Sequence, residues 1–109
     1  MHHEQHDVTV DDDGTTTFVR MHGEIDPAVR EEAGRAMGQA LIAGLPVVVD
    51  LSKVTFIDSS GMAFLVQLHR ACHSAELSCV LHAVPDNVRE VLTLVGLDQV
   101  LGLRDEVAP

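Results

Sequence analysis

The run Val47-Val48-Val49, set between two stretches with helical apolar spacing, constrains this chain most. A continuous β-branched run suits a central strand covered on both faces. Upstream, Val29, Ala33, Ala36, Met37, Ala40 and Leu41 recur at intervals of three and four and make one apolar stripe. Arg30, Arg35 and Gln39 fall away from that stripe. Downstream, Leu65, Leu68, Cys72 and Ala75 form a second inward face, with His69, Arg70 and His73 pointing out. A strand flanked by helices in this way meets its neighbours through crossovers, which implies parallel pairing with right-handed connections.

The rest of the chain extends this pattern. Val8-Thr9-Val10 and Thr15 to His22 are rich in β formers, and Asp13-Gly14 between them is a hairpin signal. Gly23 ends the second strand. Asp26 is placed to cap the first helix, with Pro27 at its first position and Glu31 and Glu32 near its positive end. Gly44 and Pro46 stop that helix, and the central strand runs from Pro46 to Leu51. Asp58-Ser59-Ser60 is a second capping cluster, opening a helix that reaches about Ala75. Leu77 to His82 is the next strand. Pro85 opens a third helix with Val88, Val91, Leu92 and Val95 as its buried stripe, Gly96 follows its end, and Val100 to Leu103 adds a last short strand. The expected fold class is α/β: a mixed, mostly parallel β-sheet of about four to five strands with helices packed against it. It forms one domain over residues 8–104, between a flexible tail at 1–7 and a second tail at 105–109.

Composition narrows the function. Hydrophobic residues make up 46% of the 109, enough for a core. No apolar run approaches the ~20 residues of a membrane helix, and the start of the chain is unlike a signal peptide, so the expected location is cytoplasmic. The net charge of −10, with Phe the only aromatic residue, argues against nucleic acid as a partner. Cys72 and Cys79 make no disulfide framework and read as small core hydrophobes. His2, His3 and His6 lie on a free terminus, which does not hold metal ligands rigidly. No Gly-rich phosphate loop is present, so no cofactor is expected.

The stretch from Val54 to Met62 carries the functional signal. It follows the central strand and opens a helix, at the carboxyl edge where parallel sheets hold their sites. Ser59 and Ser60 could simply cap the helix. However, two serines and Asp58 are one polar group more than a cap requires. A helix N-terminus also accommodates added negative charge. Ser59, Met62, Ala63 and Val66 share one helical face, so the Ser59 hydroxyl borders an apolar strip suited to protein docking. The alternative is that Met62 and Val66 are buried.

Four segments together resemble the STAS domain, and most closely the bacterial anti-sigma-factor antagonists. They are Gly23-Glu24-Ile25-Asp26, Val47 to Ser52, Val54 to Gly61, and Leu92 to Leu97. The resemblance implies a partner-switching protein in which Ser59, first serine of the Asp-Ser-Ser-Gly motif, accepts a phosphoryl group. The unphosphorylated form would bind an anti-sigma factor serine kinase and free a sigma factor. Phosphorylation would release it, and a metal-dependent serine phosphatase would reset it. Any nucleotide belongs to the kinase. Asp26, Asp58, Ser60, Gly61, Met62, Ala63 and Val66 are the expected partner-binding neighbours, none of them catalytic. Pro27 directly after Asp26 shortens the segment before the first helix relative to the family pattern.

Two other readings remain at this level. A nucleophilic serine enzyme would need a base and an oxyanion hole, yet the Gly-x-Ser-x-Gly elbow is absent, and His69 and His73 lie too far along the helix from Ser59, which leaves His22 and His82 as the open choices of base. A STAS module without a switch could serve as a scaffold or interaction subunit of a stress-signalling or lipid-transport assembly. The intact Asp-Ser-Ser-Gly motif favours the switch. Oligomeric state is not legible in the sequence.

Overall fold

The computed structural model describes residues 7–101. The expected tail at 105–109, and His2, His3 and His6, lie outside the described residues. Among the described residues the sheet has four strands: β1 (Asp7–Asp12), β2 (Thr17–Ile25), β3 (Val47–Ile57) and β4 (Cys79–His82). They lie in the order β1-β2-β3-β4. β1 and β2 form the expected antiparallel hairpin, with Val8 opposite Met21 and Val10 opposite Val19. In the turn, Asp13 Oδ1 accepts from the backbone N–H groups of Thr15 and Thr16, both at 2.9 Å. Asp7, expected in a tail, is the first residue of β1. β2–β3 and β3–β4 are parallel.

Three helices connect and complete the sheet: α1 (Arg30–Ala43), α2 (Ser59–Ser74) and α3 (Asp86–Leu94). Because the strand order advances in one direction, the two right-handed crossovers place α1 and α2 on the same face. α1 lies against β1 and β2, and α2 against β3 and β4. That face carries Val8, Val19, Met21, Val47, Val49, Leu51, Cys79 and Leu81, all buried. Leu65, Leu68 and Leu92 join them from the helices. Each fully buried side chain of this size contributes about 1.5–3 kcal/mol relative to exposure. The opposite face, with Phe18, Arg20, Val48, Asp50, Val80 and His82, is half-buried or exposed. β3 is therefore central but covered on one face only, contrary to the reading of its β-branched run. Covering the second face needs a reversal of strand order, and this topology has none.

β3 is also longer than expected. Its 11 residues pair with the 9 of β2, and the difference is taken up in two irregularities. Arg20 faces Asp50 but His22 faces Lys53; Gly23 faces Val54 but Glu24 faces Phe56. Each irregularity adds one residue to β3, as a β-bulge does. Consequently Leu51, Val54 and Ile57 all turn inward at three-residue spacing, while Ser52, Lys53, Thr55 and Phe56 stay exposed. Gly23 does not end β2 but lies within it, with φ +83 at the irregular position, where glycine carries no Cβ penalty.

Other expectations need correction at element ends. Asp26 and Pro27 open a 3-10 turn over Pro27–Val29, which runs directly into α1. Ala75 and Val95 end their helices as exposed capping residues and leave the buried stripes. Val100 and Leu101 follow a second 3-10 turn, Leu97–Gln99, and form no strand; Gly102 and Leu103 lie outside the described residues. Inside the core, the Thr17 hydroxyl is buried with no hydrogen-bond partner, a local cost of about 1–3 kcal/mol. Cys72 and Cys79 are free and buried. Burial and the adjacent Cys72 thiol push the Cys79 thiol up to about 12, so it is inert packing at neutral pH.

Candidate functional site

The parallel strands β2 and β3 end side by side, at Ile25 and Ile57. Each is followed at once by an aspartate that caps a helical turn. Asp26 Oδ1 accepts from Ala28 N–H at 2.9 Å. Asp58 is extended and caps α2, its Oδ1 accepting from Ser60 N–H at 2.9 Å and Gly61 N–H at 3.0 Å. The Asp58 N–H donates to Ile25 O at 3.2 Å, which ties the start of α2 to the end of β2. Donation from the Ser60 hydroxyl and from Gly61 N–H holds the Asp58 carboxyl below the usual carboxylate range.

The two serines have different fates. Ser60 Oγ donates to Asp58 Oδ1 at 2.7 Å and is half-buried. Ser59 is exposed, and its hydroxyl makes no hydrogen bond among the described residues. Gly61 is buried against β2 and β3. A Cβ there would stand 2.6 Å from Ile57 Cγ1 and 2.8 Å from Ile25 O. Of the expected neighbours, Gly61 thus holds the helix in place, while its side of the surface is made by others.

Ser59, Met62, Ala63 and Val66 do share one face, and with Val95 and Leu97 they line a hollow of about 290 Å³. Met62 and Val66 are half-buried, packed partly on the core and partly open to this hollow. Leu94 is 83% exposed, Val95 55% and Val100 49%. Among the described residues, three of the five exposed large hydrophobics therefore fall in the segment 94–100 that contributes the second wall. Sequence reasoning missed this wall by placing Val95 in the core. On the other side of α2 a groove of about 340 Å³ runs between α1 and α2, lined by Asp26, Arg30, Met37, Ser60, Phe64 and Gln67 among others. Asp26 belongs to this second groove, whereas Asp58 lines neither hollow and holds the α2 start as its cap.

Among the described residues, no three His, Cys, Asp or Glu side chains converge as metal ligands, and no helix is long and apolar enough to cross a membrane. The family model described as Mlab, STAS domain, matches residues 8–104. The chain belongs to the STAS domain family. Solved STAS structures share its fold. An anti-sigma factor antagonist from Mycobacterium paratuberculosis is 26% identical, covering 92% of this chain and 86% of that one, with a TM-score of 0.76. The Bacillus cell fate determinant SpoIIAA, in its phosphorylated form, is 20% identical over 91% of this chain and 92% of its own, with a TM-score of 0.69. An anti-sigma-factor antagonist (STAS) domain protein from Planctomyces limnophilus is 23% identical over 89% and 88%, with a TM-score of 0.65. The STAS domain here thus has the architecture of anti-sigma factor antagonists, with the expected mixed sheet and three helices.

Proposed function

We propose that this STAS protein is an anti-sigma factor antagonist switched by phosphorylation at Ser59. The observation that carries the reading is the division between the serines: Asp58 engages the Ser60 hydroxyl, whereas Ser59 stands exposed beside the apolar hollow. In the unphosphorylated form, Ser59, Met62, Ala63 and Val66 contact an anti-sigma factor serine kinase, with Asp26, Asp58, Ser60 and Gly61 shaping that surface. This binding frees a sigma factor in the cytoplasm. The Ser59 oxygen then attacks the γ-phosphorus of ATP held by the kinase, ADP leaves, and the hydroxyl proton is lost. A serine phosphatase hydrolyses the ester and restores binding. Ser59 is an acceptor in this scheme.

Phosphorylation adds about 1.5–2 negative charges. Asp58 already occupies the Ser60 and Gly61 N–H groups, so the new dianion stays at the mouth of the hollow beside another carboxylate. It opposes docking by charge and desolvation while the helix dipole tolerates it. Ser59→Asp should bind a nucleotide-loaded anti-sigma serine kinase at least about tenfold more weakly than the unmodified protein, a loss of ~1.4 kcal/mol, by titration calorimetry. Equal affinities would instead favour a non-switching STAS scaffold or interaction subunit of a stress-signalling or lipid-transport assembly.

A further inference from the structure

The far end of α2 carries an arrangement that the phosphoserine reading does not use. His69 and His73 are four residues apart, which sets them about 40° apart around the helix and ~6 Å apart along it. Both line one shallow hollow of about 480 Å³, with Arg70 and Ser74. His69 is half-buried and His73 exposed. Neither imidazole has a hydrogen bond or ion pair among the described residues. Arg70 lies about 100° round from His69, outside the angle between the two rings.

The frame beneath them is rigid. Leu65, Leu68 and Cys72 bury the adjoining side of the same turns, with exposures of 1%, 0% and 0%. Two nitrogen donors are thus held one helical turn apart without any backbone ordering on binding. The chain's net charge of −10 favours a cation at its surface. Imidazole donors select late first-row ions over Mg²⁺ and Ca²⁺, which take oxygen ligands.

We propose that His69 and His73 form a two-imidazole site for a divalent late transition ion, such as Ni²⁺, Cu²⁺ or Zn²⁺, completed by water. The ion bridges two successive turns of α2. It sits roughly 18 Å along the helix from Ser59, so it does not share the phosphorylation surface. The test uses the full chain with His2, His3 and His6 replaced by Ala, so that the terminal imidazoles do not contribute. Calorimetric titration with NiCl₂ should give one ion per chain. His69→Ala and His73→Ala should each abolish that heat, and CuCl₂ should broaden backbone amide resonances around residues 69–74 first. Because His73 is exposed, His73→Ala leaves the core intact and decides the matter even if His69→Ala is destabilised. Absence of binding in the terminal-His variant, or binding that survives either substitution, would overturn the site.

Discussion

At Gly61 a single hydrogen atom decides where Ser59 sits. The space beside its Cα is filled by Ile57 Cγ1, Ile25 O and Ile25 Cγ2, the last at 2.9 Å from an added Cβ. Backbone does not yield as a flexible side-chain tip does, so Gly61→Ala forces α2 away from the ends of β2 and β3. A cost of about 1–3 kcal/mol is expected from overpacking, read as a lower urea midpoint with unchanged slope. An unchanged midpoint would mean that the helix start is not seated on β2. This constraint is invisible in the sequence, because Ile25 is far away along the chain. Asp58 was legible as a cap, since an aspartate before two serines and a helical stripe has few other uses. Its carboxyl is held below its unfolded value, so the cap stabilises above that value, and the contribution is lost as pH falls through the folded one. Asn caps a helix without titrating. Asp58→Asn should therefore lose less stability than the natural protein between about pH 6 and about pH 3, measured by urea unfolding. Asp13, lowered by its bonds to Thr15 and Thr16, titrates in both proteins and cancels in the comparison. Equal losses would remove the charge of Asp58 from the account.

At the scale of elements, the helices were legible and the central strand was only half so. Helical stripes survive translation into structure because Ala33, Ala36 and Ala40, or Leu65, Leu68 and Cys72, repeat at the period of the helix itself. Strand ends do not announce themselves in this way. The inward spacing of Leu51, Val54 and Ile57 breaks the two-residue alternation, and only the partner register with β2 explains it. The two irregularities have a functional consequence, because they bring Ile57 inward at the last strand position and leave Asp58 and Ser59 at the rim. Bulges near a site commonly re-aim side chains in this manner. The strip Ser59, Met62, Ala63 and Val66 was likewise legible from helical spacing alone. Its second wall was not: Val95 fits the periodicity of α3, but the helix ends at Leu94, one residue before that position. Gly96, with φ +80, then turns the chain so that Leu97 comes beside Met62 and Val66.

Across the whole molecule, a one-sided sheet gathers its helices on one face and presents the start of α2 at the carboxyl edge of its parallel strands. The surface around Ser59 is an apolar hollow on an acidic protein, so the proposed phosphoryl group would change its character without disturbing the core. The measurement that tests this most directly is intact-mass spectrometry after incubation with a candidate anti-sigma serine kinase and ATP, with Ser59→Ala and Ser60→Ala alongside. The account predicts a single added phosphate on the natural protein and on Ser60→Ala, and none on Ser59→Ala. A phosphate that persists in Ser59→Ala, or one that disappears only in Ser60→Ala, would contradict it.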